Sequence, residues 1–123
     1  MRAFAGIGWI CLIAIISIAF QSKAREITWN KTIHDFGTLK KGEIAETCFT
    51  CYNGNDTLQL ENVVPSCGCM TPDWRKTPIM PYDSAIIKLV FNTKGNSGMH
   101  TKYISVYSNK GLYELVIRAN IEK

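Results

Sequence analysis

The chain has 123 residues, 46% hydrophobic and 20% charged, with a formal net charge of +4. That length suits one domain, and 9 Gly and 4 Pro without any low-complexity tract exclude collagen-like and disordered classes. The positive charge is small and spread along the chain, so no nucleic-acid partner is expected.

Residues Met1 to Ala24 read as an address. Arg2 gives a short positive start, and Ala3 to Phe20 is an uncharged apolar run. Ser22-Lys23-Ala24 then offers small residues where a signal peptidase reads. The expectation is a cleaved signal peptide over 1–24 and a mature domain over 25–123. The other reading is a retained anchor, because a run of about 18 residues just spans a bilayer. Membrane contact is expected only in that case. A lipid anchor at Cys11 is disfavoured, since Trp9 and Ile10 precede it where small residues belong. Loss of Arg2 and Lys23 takes the basic count from 14 to 12 against 10 acidic residues. A net +2 gives no polybasic grip on membrane or nucleic acid.

The rest of the chain reads as short strands, with period-two alternation and no long 3.6-residue period. Ile27 to Trp29 is a candidate short strand, and Ile33 to Phe36 follows. In Thr47 to Asn53, Phe49 and Cys51 share one face, with Cys48, Thr50 and Tyr52 opposite. Leu58 to Val64 is the next strand. Met70 to Pro81 holds Pro72, Pro78 and Pro81 as well as Trp74, and proline removes ladder donors, so this segment is expected to be a long connection. In Ser84 to Asn92, Ala85, Ile87, Leu89 and Phe91 line one face. In Thr101 to Ser108, Ile104 and Val106 oppose Tyr103, Ser105 and Tyr107. In Leu112 to Ile121, Tyr113, Leu115, Ile117, Ala119 and Ile121 oppose Glu114, Arg118 and Asn120. Gly, Asn and Asp punctuate the runs at Lys40-Lys41-Gly42, Asn53-Gly54-Asn55-Asp56 and Gly95-Asn96-Ser97-Gly98. Asn109-Lys110-Gly111 reads as a hairpin turn. Six strands and a candidate seventh at this spacing indicate an all-β sandwich, although a small barrel has a similar pattern.

Cysteines carry the most specific chemistry. Outside the first segment the chain keeps Cys48, Cys51, Cys67 and Cys69. Cys48 and Cys51 fall inside a strand, which turns their side chains to opposite faces about 10 Å apart. A disulfide needs Cα atoms within about 7 Å, so this pair is not expected to bridge. Cys51 reads as a small buried hydrophobe beside Phe49. Cys48 is either covered by a second layer or an exposed thiol. Cys67 and Cys69 would share a face about 6.6 Å apart in an extended strand, and Gly68 permits a tighter bend. The pair admits packing under the proline-rich loop, a structural disulfide, a reducible disulfide, or two thiolates on a soft metal ion. Met70 would add a thioether suited to Cu(I). His34 and His100 have no spacing that ties them to the thiols.

Acyl-transfer, zinc-protease and phosphate-loop motifs are absent from the sequence. Asp35 follows His34, but neighbours in a strand face opposite ways. Asn53, Asp56 and Asn109 read as turn residues. Tyr103 and Tyr107 form either a contact patch or a cross-strand packing pair.

Several motifs together resemble a bacterial domain-of-unknown-function family, the one numbered 1573. They are His34-Asp35-Phe36-Gly37 with Gly42, then Phe49 and Asn53, then Ser66-Cys67-Gly68-Cys69 with Pro72 and Trp74. Pro78, Pro81, Phe91-Asn92-Thr93, Gly98 and Ser108-Asn109 follow in order. The resemblance covers about Trp29 to Ile121. It departs at Pro81-Tyr82, where the family usually has Pro-Gly, and at Asn53-Gly54-Asn55, where it usually has Asn-x-Gly. Cys48 and Cys51 are not part of the pattern. The resemblance implies an immunoglobulin-like β-sandwich exported across the inner membrane, and no established activity.

The expected function is an exported, non-catalytic module in the periplasm or cell envelope that binds a protein or an envelope component. A sheet edge or the Cys-Gly-Cys loop would be its contact surface. No cofactor is required. The alternative is a thiol-redox or copper-binding protein. In either case the candidate site residues are Cys67, Gly68, Cys69, Met70 and Trp74, with Cys67 and Cys69 as the metal ligands.

Overall fold

The computed structural model describes residues 27–123, so the expected signal segment lies outside the described residues. Eight strands run in chain order: β1 Thr28–Trp29, β2 Ile33–Leu39, β3 Ile44–Tyr52, β4 Leu60–Pro65, β5 Met70–Trp74, β6 Ser84–Asn92, β7 Gly98–Ser108 and β8 Gly111–Ile121. They form two four-stranded sheets, ordered β1-β3-β6-β5 and β2-β8-β7-β4. The architecture is an all-β sandwich. Every sheet contact is antiparallel except β2 with β8, which is parallel.

The alternating runs become the two inner faces. Phe49 and Cys51 of β3 and Ile87, Leu89 and Phe91 of β6 are buried from one sheet. Ile104 and Val106 of β7 and Leu115, Ile117 and Ala119 of β8 meet them from the other. Cys51 is fully buried, and Cys48 on the opposite face of β3 is an exposed free thiol. Asn109 and Lys110 form the two-residue β7–β8 hairpin turn.

The Met70–Pro81 expectation is corrected in its first half. Met70–Trp74 is a strand, β5, paired along β6. It lies at a sheet edge. Thr71 and Asp73 face Val90 and Lys88 across the ladder, so alternation turns the Pro72 nitrogen away from β6. An edge strand loses no hydrogen bond there. The strand count is therefore eight rather than seven. The Leu58–Val64 run also shifts. Leu58 forms an isolated bridge to Ile79, and β4 starts at Leu60 with a bulge before Asn62.

Asn53 is more than a turn residue. Its buried amide donates to the carbonyls of Asp56, Ile79 and Met80 at 2.7, 3.0 and 3.0 Å, and its oxygen accepts Lys110 Nζ at 2.7 Å. One side chain thus ties three loops at one end of the sandwich. The two departures from the family pattern meet here, since Tyr82 N–H donates to the Gly54 carbonyl at 2.9 Å. Tyr82 has φ +63°, a left-handed conformation that favours glycine.

At the seam between β2 and β3, Lys31 Nζ lies 2.9 Å from His34 Nδ1 and 3.2 Å from Thr47 Oγ1. An ammonium has only donors, so this geometry needs a neutral His34 with Nδ1 accepting. Burial and the Lys31 charge both lower the His34 pKa, and Asp35 partly opposes them.

Two outcomes follow from these local arrangements. Tyr82→Gly is expected to raise stability by about 0.5–1 kcal/mol, because relief of left-handed strain exceeds glycine's added chain entropy. An unchanged or lower urea midpoint would contradict this. His34 has a folded pKa below its ordinary value of 6.5, so its contribution to stability is complete above that value. Stability should be lost as pH falls from there through the folded pKa. Urea midpoints measured between pH 8 and 5 should therefore drop more steeply for the wild type than for His34→Gln.

Candidate functional site

The Cys-Gly-Cys element is the corner where the chain leaves one sheet for the other. β4 ends at Pro65 in the second sheet and β5 begins at Met70 in the first. Ser66 is held to β7: its N–H donates to the Tyr103 carbonyl at 2.8 Å, and its hydroxyl accepts the Tyr103 N–H at 3.1 Å. On the far side of the corner, Asn92 N–H of β6 donates to the Cys69 carbonyl at 2.8 Å. Each end of the turn is thus fixed to a different sheet.

Within this frame Cys67 and Cys69 lie at disulfide distance, with Cα atoms 5.3 Å apart. That is closer than the spacing of an extended strand. The turn supplies the difference, and Met70 N–H reaches back to the Cys67 carbonyl at 3.4 Å. Gly68 is exposed, its φ lies outside the left-handed region, and a Cβ there would meet nothing within 4 Å. Neither backbone strain nor crowding demands glycine at this position. Both cysteines are half-buried against the core. Solvent therefore reaches the pair from one side. Oxidised, it offers no thiolate to a metal; reduced, it offers two.

The other candidate residues sit apart from the sulfurs in role. Met70 is 3% exposed and in register with Phe91, so it packs into the core. Trp74 is four residues further along β5, about 13 Å at strand rise. It packs on the core under the Lys76 ammonium, and its buried indole N–H has no hydrogen-bond partner. His34 is engaged with Lys31, and His100 Nε2 lies 2.8 Å from the Ser97 carbonyl. Among the described residues no group of three or more His, Cys, Asp and Glu is placed to hold a metal ion. Burial raises the pKa of Cys51, which keeps that thiol protonated.

Tyr103 links the corner to a second feature. It lies on the outer face of the β2-β8-β7-β4 sheet, where cross-strand rows can be read from the register. One row is Ile33–Val116–Tyr103, the next Glu114–Ser105–Val64, and the third Leu112–Tyr107–Asn62. Ile33, Val64, Tyr103, Tyr107 and Leu112 are all exposed, from 42% to 62%. Tyr103 and Tyr107 therefore form an open patch rather than a covered packing pair. Sequence reading found the tyrosines but missed Ile33, Val64 and Leu112. Their signal is an apolar residue on the face opposite the buried one, which becomes legible only when the strands are placed side by side.

Solved structures similar to this chain share its fold at low identity. A protein of unknown function from Porphyromonas gingivalis W83 matches with a TM-score of 0.68 at 19% identity, over 83% of this chain and 50% of that one. The chain thus spans half the length of that protein. The ASH/PapD-like domain 7 of human CEP192 matches with a TM-score of 0.64 at 11% identity, over 84% of this chain and 90% of that one. The secreted serine protease VesC of Vibrio cholerae matches at 0.61 and 13% identity, over 78% of this chain but 23% of the protease. No curated protein matches the chain. The family model described as a protein of unknown function, DUF1573, matches residues 27–121, which is nearly all of the sandwich and both sides of its Cys-Gly-Cys corner. The chain belongs to the DUF1573 family.

Proposed function

We propose that this protein is an exported, non-catalytic binding module of the periplasm or cell envelope. The observation that carries the reading is the outer face of the β2-β8-β7-β4 sheet. Exposed apolar side chains gathered on one face mark contact sites on soluble domains, and here Ile33, Val64, Tyr103, Tyr107 and Leu112 gather around Glu114 and Ser105. Tyrosines suit such a site because they bring large area with few rotatable bonds and keep a polar tip. Export rests on the anatomy of Met1 to Ala24. The partner in this reading is a protein or an envelope component.

The test is saturable co-sedimentation of the purified chain with envelope fractions. Tyr103→Ser with Tyr107→Ser is expected to weaken it by about tenfold or more, the scale of losing interface anchors. Folding should be kept, since both side chains are exposed. Undiminished binding by the folded double variant would remove this face from the function. Intact mass of protein from the exporting cell should correspond to residues 25–123.

A second reading is thiol redox or soft-metal chemistry at Cys67 and Cys69, supported by their separation and half-exposure. It predicts two more titratable thiols after reduction than before. It also predicts that Cys67→Ser abolishes thiol–disulfide exchange at the corner while costing only about 1–2 kcal/mol of stability, as expected for so short a closed loop. Copper titration of the reduced chain, followed by elemental analysis, tests the metal branch. Exchange and copper uptake that are unchanged in Cys67→Ser would defeat this reading.

A further inference from the structure

Half of β3 has an open edge. β1 covers β3 only at Cys51 and Tyr52, and Asn30 closes the pairing at Thr50. Asn30 N–H donates to the Thr50 carbonyl at 3.0 Å, and Asn30 Oδ1 accepts the Thr50 N–H at 2.9 Å. The chain then leaves for the other sheet and enters β2. Along the rest of β3, alternate residues 45, 47 and 49 spend their backbone groups on β6. Ile44, Glu46 and Cys48 turn theirs the other way, where β2 passes beside β3 but no strand among the described residues pairs with them.

The other edges are each blunted. β1 is two residues long. β2 bulges between Asp35 and Thr38, with Gly37 at φ +71°. β4 bulges after Leu60 and ends on Pro65, and β5 carries Pro72. Folded proteins use these devices to keep edges from pairing. The Ile44–Cys48 stretch has no proline, no lysine and no bulge. Its outward side chains leave room, with Ile44 62% exposed, and the seam beside it holds the half-buried Phe36 and Ala45.

We propose that the open edge of β3 at Ile44–Cys48 receives an extended segment of a partner protein as an added antiparallel strand. The proposal rests on the reading of the domain as a binding module and places a contact on it separate from the tyrosine face. The partner segment continues the line of β1 from the point where Asn30 leaves it. Its residues opposite Cys48, Glu46 and Ile44 each exchange two backbone hydrogen bonds with β3, over about 14 Å. Its intervening side chains are small: one closes over Ala45 and Phe36, and the other lies opposite Thr47, beside the Lys31 ammonium. A second copy of this chain fits less well. The register that engages all three residues of both copies sets Glu46 against Glu46, and like charges directly opposite destabilise a pair.

The test uses Cys48 as a reporter of register. The probe is the peptide Cys-Val-Thr-Val-Thr, flanked by lysines, with its cysteine activated as a 2-pyridyl disulfide. The Cys48 thiolate attacks the peptide sulfur, a mixed disulfide forms, and pyridine-2-thione leaves and is read by absorbance. The intact Cys48→Ser chain supplies the background from other thiols. The expected result is capture about tenfold faster than for Thr-Cys-Thr-Val-Thr, whose cysteine points inward. N-methylation of the Cys and Thr nitrogens should abolish that advantage, and N-methylation of the Val nitrogens should leave it. Glu46→Pro should abolish it too while the chain stays folded, because that nitrogen faces the open edge and not β6. Equal rates for all peptides would overturn the proposal, since thiol exposure alone would then explain capture. A dimer of the free chain that Glu46→Pro dissolves would also overturn it, in favour of a second copy. Capture retained in the Tyr103 and Tyr107 variants, with envelope binding lost, separates failure of one reading from failure of the other.

Discussion

Two sheets that share one core oblige the chain to cross between them, and each crossing must find partners for backbone groups that leave a ladder. Of the five crossings among the described residues, two lie on opposite flanks of the sandwich and shape its surface. At Asn30 a side-chain amide stands in for the next residue of a strand, and the chain turns away. At Ser66 to Cys69 the turn is held from both sheets at once, by Tyr103 on one side and Asn92 on the other. The open β3 edge follows from the first crossing. The sulfur pair and its half-exposure follow from the second. Tyr103 then joins the second of these crossings to the exposed apolar residues of the outer face.

Much of the fold was legible because alternation needs only the chain itself. Ala85 to Phe91, Ile104 to Val106 and Leu115 to Ile121 announce which face is buried, and the opposite placement of Cys48 and Cys51 follows by the same rule. β5 was not legible. Its prolines argue against a strand in general, and only the neighbour relation shows that Pro72 points away from β6. The bulge at Leu60 was hidden for a similar reason, since it is a property of pairing with β7. The approach of Cys67 to Cys69 is legible in the sequence as a possibility, but its cause differs. The tie of the corner to two sheets sets the spacing, and Gly68 has room for a side chain.

The candidate site divides along the same line. Cysteines and tyrosines stand out in a sequence because their chemistry is distinctive. The apolar companions of Tyr103 and Tyr107, the Lys31–His34 contact and the bare edge at Glu46 do not. Each depends on what lies across a ladder or a seam. Membership in DUF1573 brings no activity with it, so function is argued from these surfaces.

The parallel pairing of β2 with β8 has a temporal side. Ile33 and Val116 are neighbours in the sheet but stand near opposite ends of the described residues. During synthesis, β2 emerges well before β8, its ladder partner among the described residues. Until then Ile33 and Phe36 have no sheet to join, and the half-made domain carries an unpaired strand. Long-range pairings of this kind slow folding and lengthen exposure to misassembly. β8 is thus the strand that admits β2, and a chain shortened before Val116 would lose both.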